Sequence, residues 1–267
     1  MGNELTNYDD QLAKSAQAYV DEQPARGGNF LSIRAGKLSL GDEEFPGNQA
    51  AVVILDRVFE NLFYSTRFNP DIIAPPICYA FGRGKDHLRE MAPYPGMQID
   101  PYFVPQSNNC AACPQNVMGT SETGRGKACK NSERIAVIPA GYYGTAKNSR
   151  ELELHLFDDP VHFEQCDMAF LKVPVTSTRY IDEYIRQLGR DSLPPYAMIT
   201  RLWVEPDPKY QVQVRFEPIE RAPQALIPAL IRRNAEAVES IIRPYQAPQE
   251  QQSASSPGGL RGLRRGR

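Results

Sequence analysis

Apolar and polar positions alternate in short runs along most of this chain, and proline or glycine interrupts the runs. Positions 30–34 and 37–40 alternate around Gly36, which predicts a hairpin. Positions 50–64 are almost continuously apolar, rich in β-branched and aromatic residues, and predict one long strand or two broken ones. Further strands are predicted at 77–81, 134–139, 151–157 and 168–173, of which 151–157 alternates strictly. Residues 196–205 and 210–217 predict a β pair across Pro206, Asp207 and Pro208. Helical spacing appears over 8–20 with Asp9 and Asp10 in the first turn, over 178–189 after Thr176 and Ser177, and from about Gln224 to Ile242. Asp158 and Asp159 before Pro160 read as a turn.

Between Gly82 and Gly126 the periodicity disappears. A long irregular span inside a compact domain needs something to pin it. The span supplies a candidate: Cys110 and Cys113 form a CxxC pair, Cys129 follows the Gly124–Lys127 turn, and Cys78 lies in the preceding strand. Four thiolates, two of them local and two returning from distant strands, suit the closed tetrahedral site that structural Zn²⁺ prefers. Three other readings compete. A redox CxxC should follow a strand and open a helix, whereas this pair precedes Pro114. A disulfide framework belongs to short secreted chains, and the polar, acidic start is unlike a secretory signal. Buried free cysteines are the third, and Cys166, beside an apolar run, reads as one. His87 is the rival fourth ligand to Cys78.

Composition adds bounds. No apolar run reaches the roughly 20 residues of a membrane helix, so neither a membrane partner nor a membrane location is expected, and the expected location is a reducing cytoplasm. A net charge of −2 means that any nucleic-acid surface must be a local basic face. The organisation read from these runs is a helical segment at 1–24, a mainly β domain at 25–245 carrying a cysteine-loop insertion at about 78–130, and a disordered basic tail at 246–267.

Several segments in order resemble phage and prophage single-stranded-DNA-binding proteins. They are 76–81 (PICYAF), 110–121 (CAACPQNVMGTS), 124–130 (GRGKACK), 173–184 (VPVTSTRYIDEY) and 197–202 (AMITRL). The plan is also similar to the zinc-ribbon-bearing OB-fold of replication protein A. The resemblance covers roughly 50–220. It implies an OB-type β-barrel with an inserted zinc loop, and sequence-tolerant binding of single-stranded DNA in phage-type replication or recombination, in the host cytoplasm. Replication or recombination proteins are then expected as partners.

A groove for single strands needs cations for phosphates and aromatic faces for bases. Arg125, Lys127 and Lys130 lie on or beside the cysteine loop, Arg134 begins the next strand, and Arg83 and Lys85 form a second basic turn. Tyr142 and Tyr143 between Gly141 and Gly144 read as loop-borne aromatics, and Arg201 and Trp203 are read on opposite faces of their strand. Enzyme readings are poor: no Walker, dinucleotide or nucleophile-elbow motif occurs, and neither a catalytic residue nor a small-molecule substrate is expected. The competing function is a zinc-braced protein that binds a replication or transcription protein instead of DNA.

Overall fold

The computed structural model describes residues 30–40, 43–65, 76–84, 88–90, 103–145 and 151–242. The expected helix at 8–20, the tail at 246–267, Lys85 and His87 lie outside the described residues. The strands are β1 (Phe30–Arg34), β2 (Lys37–Leu40), β3 (Glu43–Glu44), β4 (Gln49–Phe63), β5 (Cys78–Gly82), β6 (Arg89–Glu90), β7 (Lys130–Thr145), β8 (Leu152–Leu156), β9 (Ala169–Val173), β10 (Met198–Asp207) and β11 (Gln211–Arg221). Among the described residues three α-helices accompany them: α1 (Pro160–Gln165), α2 (Thr178–Arg190) and α3 (Ile227–Ser240). Among the described residues no helix is long and apolar enough to cross a membrane.

All eleven strands join one mixed sheet whose main path runs β11-β10-β4-β7-β9-β1-β2-β3. Its pairs are antiparallel except β1 with β9. The path has free ends at β11 and β3, so the described strands form an open sheet and not the expected OB-type barrel. The cause lies in the two central strands, of 15 and 16 residues. One edge of β4 is shared between β10 at Gln49–Val53 and β5 at Phe59–Phe63. One edge of β7 is shared between β9 at Glu133–Val137 and β8 at Gly141–Thr145. The sheet therefore branches where a barrel would have to close.

Both faces of the centre are covered. Val53, Leu55, Leu62 and Ile138 pack with Phe163 of α1 and with Leu230 and Ala237 of α3. Val52, Ile54, Ile135 and Val137 pack on the other side with Ile181 and Leu188 of α2. Two-sided burial explains why 50–64 reads as a continuous apolar run instead of an alternation. In α2, Ile181, Tyr184 and Leu188 recur at helical spacing and form the inward stripe. Ser177 does not cap α2 with its side chain. Its Oγ accepts a bond from the Val214 amide at 2.9 Å and so ties the helix start to β11.

Two local expectations change. Strand β7 continues through Pro139 to Thr145, so Tyr142 and Tyr143 are strand residues and not loop residues. Proline is tolerated there because the register with β4 shifts between Ala51 and Val52, opposite Pro139 and Gly141. Asp159 opens α1: its side chain accepts from the Val161 amide at 2.9 Å, and Pro160 fills the first helical position.

Candidate metal centre and nucleic-acid interface

Strand pairing brings two cysteines to the same end of the sheet. Cys78 opens β5 opposite Phe63, and Lys130 opens β7 opposite Leu62, which leaves Cys129 immediately outside β7. Because β4 runs between β5 and β7, Cys78 and Cys129 flank its end.

Cys110 and Cys113 close over that end on a knuckle. Asn109 accepts from the Ala111 amide at 2.8 Å and starts a single 3₁₀ turn. Asn116 donates its side-chain amide to the Cys110 carbonyl at 2.8 Å, and its backbone N–H to the Cys113 carbonyl at 3.0 Å. The Cys129 amide donates to Gln115 at 2.8 Å, and the Val104 amide to Ile77 at 2.6 Å. The 103–129 loop is thus held to the sheet by backbone bonds.

All four cysteines, Cys78, Cys110, Cys113 and Cys129, line one cavity of about 10 Å³, room for about one water-sized particle. Cys113 and Cys129 are buried, and Cys78 and Cys110 are partly buried. Burial, together with the nearby charges of Cys110, Cys113 and Cys78, pushes the Cys129 thiol up to about 12. A bound dication would reverse that balance and favour thiolates. Asn61 lines the same cavity and is 3% exposed, and its Nδ2 is buried without a hydrogen-bond partner among the described residues. Among the described residues no three His, Cys, Asp or Glu side chains already stand close enough to hold an ion. The thiols converge on the cavity, and ligation would have to draw them in. A soft, four-sulfur donor set of this kind fits zinc. Cys166 is remote from the cavity and packs against the α1–α3 core, where burial raises its pKa.

The cations expected to meet phosphate differ in placement. Arg125 and Lys130 are exposed beside the knuckle. Lys127 is partly buried and donates to Asn116 Oδ1 at 3.0 Å, so it braces the knuckle. Arg83 is ion-paired to Asp56 and donates to the Arg57 carbonyl at 3.0 Å. Arg134 is not on a surface. It is 2% exposed, paired with Glu60, donates to the Ile241 carbonyl at 2.9 Å and lies over the Phe81 ring at 4.5 Å. It is corrected from a phosphate contact to a core residue.

The aromatics do not join these cations. Tyr142 and Lys130 stand at opposite ends of β7, about 40 Å apart along an extended strand. Tyr142 is 55% exposed and stacks on its cross-strand partner His155, ring centroids 4.9 Å apart. Tyr143 sits on the opposite face.

That face holds a cluster whose members the sequence reading named but did not bring together. Arg201 pairs in register with Ala51, and Ala51 with Gly141, while Trp203 pairs with Gln49 and with Arg215. Positions two apart on a strand share a face. Arg201, Trp203 and Tyr143 therefore stand together, which corrects the opposite-face reading. The Arg201 guanidinium lies over the Trp203 ring at 4.8 Å. Burial is the main cause of a raised Tyr143 pKa, which the nearby Arg201 opposes. Arg201 also pairs with Glu217 at 3.4 Å, both well exposed. Counting residues two apart along each strand, then across the ladder, would have found this cluster.

No family model, no curated protein and no solved structure matches the chain.

Proposed function

We propose that the protein binds single-stranded DNA without strong sequence preference, and that Cys78, Cys110, Cys113 and Cys129 hold one structural Zn²⁺. The observation that carries the reading is the convergence of four cysteines at the root of a glycine-rich loop presenting Arg125, with Lys130 beside it. The metal would supply no chemistry. Its ligands would anchor the knuckle, and all four positions would be filled by protein.

Bases would stack on the open face at Tyr143 and Trp203, which needs no closed barrel. Aromatic stacking is sequence-tolerant because every base has a π-face. The Arg201–Glu217 pair, being exposed, is worth little, so phosphate can take the place of Glu217 at low cost. The reading carries with it a replication or recombination role in a reducing compartment.

The test uses the protein's one tryptophan. Titration with oligo-dT, followed by polarisation of a labelled strand and by Trp203 fluorescence, should show salt-dependent binding with quenching. Absence of binding at low salt would end the reading.

A second reading has its own support. Net charge is −2 and Arg83, Lys127 and Arg134 are committed to internal partners. That favours a zinc-braced surface for a protein partner. Under that reading oligo-dT leaves both signals unchanged.

A further inference from the structure

Four side chains with metal-ligating chemistry line the cavity at the end of β4, but so does one that cannot ligate well. Asn61 lies within β4 opposite Asn131 of β7. Asn131 donates its Nδ2 to Asn61 Oδ1, which fixes the plane of the Asn61 amide. The remaining donor, Asn61 Nδ2, is buried with no partner among the described residues, in a side chain that is 3% exposed. Leaving a buried donor unmet forfeits its hydration with nothing in return, so its retention asks for an acceptor. Asn61 shares its cavity with the four cysteines and with the polar Gln106, Ser107 and Asn116, none of which accepts from Asn61 Nδ2 among the described residues.

We propose that Asn61 is a positioning residue for the metal centre, donating Nδ2–H to a cysteine thiolate when the ion is bound. The inference rests on the zinc reading and deepens it. A thiolate sulfur accepts such a bond far better than a thiol sulfur, because the acceptor is then charged. The bond lowers the energy of the sulfur lone pair and offsets part of the negative charge that four thiolates place around one dication. Asn131 acts one step further out by holding the amide in the orientation that aims Nδ2 at the cavity. Outer-shell donors of this kind typically contribute 10–100-fold in metal affinity.

The experiment compares the full chain with Asn61→Asp, which keeps the shape but replaces the donor by an acceptor, and with Asn131→Ala, which leaves Asn61 in place but frees its amide. Zn²⁺ affinity is measured by chelator competition. Co²⁺ is then substituted and the sulfur-to-cobalt charge-transfer band recorded. Loss of the N–H bond raises the sulfur donor level. The band should therefore move to longer wavelength in Asn61→Asp, with about 10-fold or greater weakening of Zn²⁺ binding. Asn131→Ala should change both in the same direction by less. Wild-type affinity and an unshifted band in both variants would overturn the role of Asn61 while leaving the zinc centre intact. A wild-type chain that takes up neither metal would overturn the zinc reading itself. If Asn61→Asp does not fold, the Asn131→Ala band decides: unshifted, it rejects the proposal.

Discussion

The Arg134 guanidinium and the Glu60 carboxylate form an ion pair inside the sheet, their side chains 2% and 0% exposed. Glu60 also accepts from Ser132 Oγ at 3.3 Å, and Arg134 reaches the Ile241 carbonyl beyond α3. Removing one partner leaves the other charge buried. Arg134→Ala is expected to cost about 3–5 kcal/mol, the range for breaking a buried pair. Urea denaturation checks this, and a loss below about 1 kcal/mol would contradict the burial argument.

The metal centre gives a second prediction. Elemental analysis should return about one zinc per chain, and a chelator should lower the melting temperature, since metal and folding are linked. Cys110→Ser should lose the metal and the chelator effect together. Unchanged zinc content in that variant would remove Cys110 from the ligand set.

Arg125 and Lys127 separate two roles that their positions in one loop conceal. Arg125→Gln should reduce the slope of log affinity for oligo-dT against log salt by about one unit, with stability unchanged. Lys127→Met should loosen the knuckle, because Asn116 loses the bond that orients it. A melting curve of each variant, beside its salt series, distinguishes the two outcomes.

Gly141 sets how closely β8 approaches β7. A Cβ added there would collide with the His155 carbonyl oxygen and meet the Leu156 Cα at 3.1 Å, both backbone atoms. Gly141→Ala should therefore cost about 1–3 kcal/mol, as overpacking does. It should also disturb the Tyr142–His155 stack, which proton chemical shifts on the His155 ring would report.

Tyr184 gives the protein an alkaline limit. Burial raises its phenol to about 12, and the bond to Thr200 opposes the rise. The unfolded phenol titrates near 10, so the native state keeps the proton to higher pH than the unfolded chain does. The contribution is complete below 10 and is lost as pH rises from 10 through 12. Thermal melts across that window should fall less steeply in Tyr184→Phe than in the parent. Equal slopes would place the alkaline loss elsewhere, Tyr64 being next, with burial and Glu60 raising it to about 12.

What could be read from the sequence was what is local. The hairpin around Gly36, the strand 151–157 and the stripe of α2 each follow from a short repeat, and the structure has all three. The cysteine cluster was legible because a CxxC pair marks a knuckle by itself. Arg134 was misread because its partner lies 74 residues earlier, and no local pattern distinguishes a paired cation from a free one. The open sheet was hidden for a related reason. Whether β11 meets β3 depends on how β4 and β7 divide their edges, not on the composition of any strand. Residues 50–64 left a break undecided, and the structure has one strand with register shifts at Ala51–Val52 and Ile54–Asp56.

The pairing of Asn61 with Asn131 closes a stretch of 70 residues. Bringing such distant segments together costs loop entropy before any contact can compensate, and pairings of this kind slow folding. Under the proposed ligation, the ion joins Cys78, Cys110, Cys113 and Cys129 beside that pairing and divides the stretch into shorter ones. Zinc should then act as an accelerator as well as a brace. Refolding from denaturant with metal present should be faster than refolding of stripped chain, by more than the difference in their unfolding rates.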